Sequence, residues 1–99
     1  MRELYGCWTT RPEREVRAML TAAGLMEGIH LVATTEPSTT VVCTQEAMDM
    51  FQRGQTPTNA DRTCWWEVLE RVDAACPGLG LSAPMGLMRA GAEPAAERG

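Results

Sequence analysis

The 99-residue chain contains no lysine, and all nine of its basic residues are arginine. Without lysine, Schiff-base chemistry and lysine general bases are excluded. No run of 18 apolar residues occurs, and the N-terminal residues lack the apolar stretch of a signal peptide, so neither a spanning helix nor secretion is expected. We therefore predict a cytoplasmic protein with no membrane partner.

Charge and size limit the classes of partner. The net charge is −4, with acidic and basic residues interspersed, so the chain lacks the basic face that nucleic-acid binding requires. With 44% apolar residues it can bury one modest core. We expect one domain over residues 1–89, followed by a flexible tail at 90–99 whose composition is typical of disorder.

Metal and cofactor sites are not expected from the residues that could form them. The four cysteines lack the spacing of roughly two to four intervening residues that is typical of zinc ligands, and free thiols are expected in a reducing cytosol. His30 is the only histidine. The glycines after position 77 match neither a Walker loop nor a dinucleotide-binding fingerprint. We predict no cofactor, no metal site and no catalytic residue.

The apolar periodicity predicts alternating strands and helices. The first helix is expected between a capping box formed by Thr10 and Glu13 and a stop at Gly24. Two further helices are predicted at 45–53, capped by Thr44 and ended by Gly54, and at 60–76, capped by Thr58 or Asn59. Strands are predicted at 3–9, 29–34 and 39–43, and a weak edge strand at 79–87.

This element order, β-α-β-β-α-α-(β), predicts an α+β fold. The arrangement is a small two-layer sandwich, ferredoxin-like with an extra helix before the last strand, and its first and third strands are central. Helices then cover one sheet face and leave the other open or available to a partner. The residues expected on that open face are His30, Val32, Thr34, Thr40 and Val42.

Two adjacent tryptophans lie in the third predicted helix of a chain that has only five aromatic residues. Successive helical residues point about 100° apart, so the two rings cannot share the centre of one buried face. Trp65 belongs to the apolar stripe, whereas Trp66 shares its side with the polar residues Arg62, Glu70 and Asp73. Exposed tryptophan is common at binding hot spots, so this side is the predicted partner-binding surface.

The leading hypothesis is a non-enzymatic protein-binding module, such as a small inhibitor or accessory factor of phage or mobile-element type. Its partner is another protein or a second copy of the chain. The alternative is a small-molecule-binding or enzymatic dimer with a pocket between open sheet faces, lined by Tyr5, His30, Cys7 and Cys43. Nucleic-acid binding through the sheet is a third hypothesis, disfavoured by the charge.

Overall fold

The computed structural model describes residues 4–35, 38–81 and 88–90. Over these residues the α+β class and the predicted element order are confirmed. The elements, in chain order, are β1 (Leu4–Thr9), α1 (Glu13–Ala22), β2 (Ile29–Thr35), β3 (Ser38–Thr44), α2 (Gln45–Arg53), α3 (Asn59–Ala75), a 3₁₀ turn (Pro77–Leu79) and β4 (Met88–Ala90).

Local side-chain chemistry sets the ends of α2 and α3. The Thr44 hydroxyl accepts a hydrogen bond from the Ala47 amide at 3.1 Å and so caps α2. Gly54 ends α2 in the left-handed region, at φ 72°. Helix α3 begins with a capping box in which Thr58 and Asp61 satisfy each other's amides. These boundaries agree with the prediction for α2 and differ by one residue for α3.

The predicted capping box at the start of α1 is wrong. The N-cap residue is Pro12, whose extended backbone has ψ 153° and whose side chain cannot accept a hydrogen bond. Glu13 is therefore the first helical residue and Glu15 the third, so Thr10 and Glu13 do not occupy the N-cap and N3 positions that a capping box requires. The predicted end is confirmed, because Gly24 has φ 72° and the Leu25 amide donates back to the Leu20 carbonyl at 2.9 Å.

The four strands form one antiparallel sheet in the order β2-β3-β1-β4. The predicted central position of β1 and β3 is therefore confirmed. Cys7 pairs with Val42, and Val42 pairs with Leu31, so these three side chains share one face. They form a core cluster with Val16 of α1 and with α3 residues. We call this side of the sheet the α1/α3 face.

The opposite face carries Leu4, Val41 and Cys43, which are all buried. These residues form a second cluster with Ala47 and Met48 of α2, so α2 covers this part of the sheet. We call this side the α2 face. It also carries three half-buried residues of the edge strand β2, namely His30, Val32 and Thr34.

The predicted open face is therefore wrong in two respects. Thr40 and Val42 do not share a face with His30, because the register pairs His30 with Cys43 and Leu31 with Val42. Thr40 and Val42 lie on the α1/α3 face and are 1% and 0% exposed. The face that does carry His30 is partly covered by α2. The sequence indicates which residues alternate within a strand, but the register between strands decides which of them share a face.

The last strand lies later in the chain than predicted. Leu79 belongs to the 3₁₀ turn and Leu81 is buried, whereas residues 82–87 of the predicted strand lie outside the described residues. The strand that completes the sheet is β4, whose Ala90 pairs with Leu4. Ala90 was expected to begin the flexible tail, and the rest of that tail, 91–99, lies outside the described residues. Among the described helices, none combines the length and the apolar character needed to cross a membrane.

Candidate functional site

Trp65 and Trp66 leave α3 on different sides and have different surroundings. The Trp65 side chain is 2% exposed and belongs to the second core cluster. Its ring centroid lies 6.3 Å from that of Tyr5 in a tilted arrangement. Its Nε1 donates to Glu46 Oε1 at 3.1 Å, which satisfies the polar end of the indole. Trp65 is therefore a core residue that joins α3 to β1 and α2.

Trp66 is half-buried and is held by a residue of its own helix. Its Nε1 donates to Glu70 Oε2 at 2.7 Å, across one helical turn. Glu70 is exposed, so this hydrogen bond lies at the surface. The bond gives the indole ring a defined orientation along the outside of α3.

Arg62 lies one turn before Trp66 and folds back onto the sheet. Its guanidinium carbon is 5.0 Å from the centroid of the Tyr5 ring, which is a cation–π geometry. Its Nη1 donates to Asn59 Oδ1 at 2.9 Å, and its buried Nε has no hydrogen-bond partner among the described residues. Arg62 therefore supports the start of this side of α3 instead of extending into solvent.

Asp73 continues the same side of the helix towards Cys7 of β1. Burial raises the pKa of the Cys7 thiol to about 11, and the negative charge of Asp73 adds to this shift. Asp73 is itself half-buried. We call the side formed by Arg62, Trp66, Glu70 and Asp73 the Trp66 row. The row begins over Tyr5 of β1, and the charge of Asp73 at its other end acts on Cys7 of the same strand.

The four residues predicted to line one pocket do not come together. Tyr5 and Cys7 point to the α1/α3 face, whereas His30 and Cys43 point to the α2 face. Cys43 is completely buried, and burial raises the pKa of its thiol to about 12. Both thiols are therefore protonated near neutral pH and are poor nucleophiles. These four residues therefore cannot line a pocket on one face of the sheet.

The structure contains a groove that the sequence did not indicate. It has a volume of about 480 Å³ and lies between the turn after α1 and the side of α3 opposite the Trp66 row. Leu25 and Glu27 line one wall, and Cys64, Val68 and Arg71 line the other. Only the tertiary fold brings the turn at 24–28 against these α3 residues, so no pattern in the sequence could have indicated the groove.

No metal centre is formed in the part of the chain that the structure describes, since no three His, Cys, Asp or Glu side chains there are close enough to hold an ion. The described cysteines are all free thiols, and only Cys64 is exposed.

Comparisons of the chain with protein-family models, with curated proteins and with solved structures found no significant match. The ferredoxin-like assignment therefore stays a prediction from the element order.

Proposed function

We propose that the chain is a non-enzymatic protein-binding module whose anchor is Trp66. The observation that carries this proposal is the contrast between two adjacent indoles. Trp65 fills a core position, whereas Trp66 is half-buried on the outside of the same helix. An indole in this position gains contact area when a partner covers it, and tryptophan is enriched among interface hot spots.

The orientation of Trp66 supports the role of an anchor. The hydrogen bond to Glu70 limits the rotation of the indole before any partner arrives. Arg62, fixed over Tyr5, forms the adjoining part of the surface. A ring that is already ordered loses less conformational entropy on binding than a freely rotating one.

The charge around Trp66 defines the chemistry of the partner. Glu67 and Glu70 are exposed and Asp73 is half-buried, whereas the guanidinium of Arg62 is engaged with Tyr5 and Asn59. The surface is therefore apolar at its centre and acidic around it. Its complement is a protein with an apolar pocket bordered by arginine or lysine, and a small inhibitor or accessory factor would act by occupying such a pocket.

The experiment compares capture by the wild-type chain and by Trp66→Ala from an extract of the organism that encodes it. The captured protein is then purified and its affinity for each variant is measured. Thr21→Ala, on the exposed side of α1, is the control because it removes surface atoms from a different helix. We expect Trp66→Ala to weaken binding by about 30-fold or more, as for a hot-spot residue, and Thr21→Ala to bind as the wild type does.

Charge reversal tests the partner's chemistry separately. Glu67→Arg, which leaves the hydrogen bond between Trp66 and Glu70 in place, should weaken binding, and raising the salt concentration should weaken the wild-type complex, because the proposed partner is basic around its pocket. Equal affinity of the wild type and Trp66→Ala for the captured protein would contradict the proposal. So would a loss of folding stability in Trp66→Ala as large as that in Trp65→Ala.

A further inference from the structure

The strand β2 lies at one edge of the sheet, and its composition is unusual for an exposed edge. Its only described neighbour is β3. Its seven residues, IHLVATT, include no Asp, Glu, Lys, Arg or proline. Natural edge strands are commonly protected by charged side chains, proline or bulges, which prevent pairing with another strand. The continuous register from Ile29 to Thr35 shows no bulge either.

The hydrogen-bond pattern of the sheet identifies the backbone groups that face outward from β2. In an antiparallel pair only alternate residues exchange hydrogen bonds. The Gly28 carbonyl accepts from the Gln45 amide at 2.8 Å, and Gly28 lies opposite Gln45 in the register of β2 and β3. Residues 30, 32 and 34 therefore bond to β3, and the amides and carbonyls of Leu31 and Ala33 point away from it.

A second observation supports this assignment of the residues of β2 that bond to β3. A Cβ atom added at Gly6 of β1 would lie 2.7 Å from the Val42 carbonyl oxygen, so this carbonyl points towards β1 and not towards β2. Its opposite residue in β2 is Leu31, whose backbone therefore does not bond to Val42. The two observations, at different strand pairs, agree on the same alternation.

We propose that two copies of the chain pair antiparallel through β2, with Val32 of one copy opposite Val32 of the other. In this register Leu31 of each copy exchanges backbone hydrogen bonds with Ala33 of the other, so the outward groups of both residues are satisfied. His30 lies opposite Thr34. The contact is isologous, as the interface of a twofold dimer must be, and it joins the two sheets into one continuous sheet.

Local charge favours a second copy as the occupant of this edge. Although the chain carries a net charge of −4, residues 10–35, which form α1 and β2, contain three arginines and three glutamates. The acidic excess therefore lies elsewhere in the chain. Two copies that meet at β2 bring together neutral strands and electrically balanced α1 helices, so the contact is not opposed by like-charge repulsion.

The test uses the full chain, with sedimentation velocity and amide hydrogen exchange measured over a range of concentrations. We expect a monomer–dimer equilibrium in which the amides of Leu31 and Ala33 become protected as the dimer forms. The amides of Val32 and Thr34 should be protected at every concentration, because they face β3. Ala33→Pro removes an outward amide without removing a bond to β3, and it should raise the dimer dissociation constant by tenfold or more.

A second substitution guards against unfolding by proline. Ala33→Lys places a charge at an exposed edge position and should raise the dissociation constant similarly, whereas the charge-matched Gln55→Lys, in the exposed loop after α2, should leave it unchanged. The proposal is overturned by a chain that stays monomeric at millimolar concentration, or by a dimer that leaves Leu31 and Ala33 unprotected. Trp66→Ala should dimerise normally, so this test is independent of the proposed function.

Discussion

The two tryptophans of α3 should differ in their effect on folding stability. Trp65 is 2% exposed, contacts Tyr5 and donates to Glu46. Removing a buried aromatic side chain costs about 3–5 kcal/mol, so Trp65→Ala should lose that much of the free energy of unfolding. Trp66 is half-buried, and its hydrogen bond to the exposed Glu70 can be replaced by water. Trp66→Ala should therefore cost about 1 kcal/mol or less.

Unfolding should be followed by far-UV circular dichroism and not by tryptophan fluorescence, because each substitution removes a fluorophore. Urea denaturation gives the free energy of unfolding. Thermal melts should also separate the two variants clearly, because 1 kcal/mol corresponds to about 4–8 °C in melting temperature for a domain of this size. Thr21→Ala, at an exposed position of α1, is the control for a neutral surface change. Equal unfolding midpoints for Trp65→Ala and Trp66→Ala would refute the assignment of one indole to the core and one to the surface.

Three further predictions concern the close packing of β1 and β3 and the burial of the cysteines. Gly6→Ala should destabilise the fold by about 1–3 kcal/mol in urea denaturation, because the new Cβ would lie 2.7 Å from the Val42 carbonyl oxygen and 3.0 Å from Cys43 Cβ; wild-type stability in this variant would contradict the close approach. Iodoacetamide should modify the exposed Cys64 in the native protein but reach Cys7 and Cys43 only after unfolding. Burial raises the pKa of these two thiols from 9.0 to about 11 and about 12, so the folded state holds their protons more tightly. Stability should therefore be complete below pH 9.0 and fall as pH rises towards 11 to 12, and an unfolding free energy that stays constant over this window would oppose the argument.

The elements that the sequence predicted well are those whose ends depend on neighbouring residues. Helix α2 begins and ends as predicted because its cap, Thr44, and its stop, Gly54, act on their own helix. The same holds for the capping residue of α3. The start of α1 was wrong because two local signals compete there. The extended backbone of Pro12 starts the helix too late for Thr10 to cap it.

The features that were predicted poorly depend on pairing between distant segments. Alternation within β2 and within β3 was visible, but the register that joins Leu31 to Val42 was not. As a result, residues of both faces were assigned to one open surface, and Cys7 and Cys43 were assigned to one pocket. A shift of one residue in register exchanges the two faces of a strand, so no pattern within a single strand can settle this question.

The Trp66 row illustrates the same limit in the candidate site. A helical wheel gives the angle of Trp66 relative to the apolar stripe, but not what lies beside the helix at that angle. The structure brings Arg62 over Tyr5 and places Asp73 where its charge acts on Cys7, so the row borders β1 at these two positions while Glu70 stays exposed. The surface proposed to meet a partner is therefore supported by the sheet as well as by α3.

The two proposed surfaces lie at different places on the sheet, and this determines how they combine. The row borders β1 through the contact of Arg62 with Tyr5, whereas the proposed dimer contact is at β2, two strands away in the order β2-β3-β1-β4. Pairing through β2 therefore leaves both rows accessible on the same face of one continuous sheet. With strands about 4.8 Å apart, the two β1 strands of the dimer are separated by five spacings, or about 24 Å. A dimer of this kind would present two Trp66 anchors at a fixed separation, and a partner with two matching pockets would gain affinity because its second contact forms within the same complex.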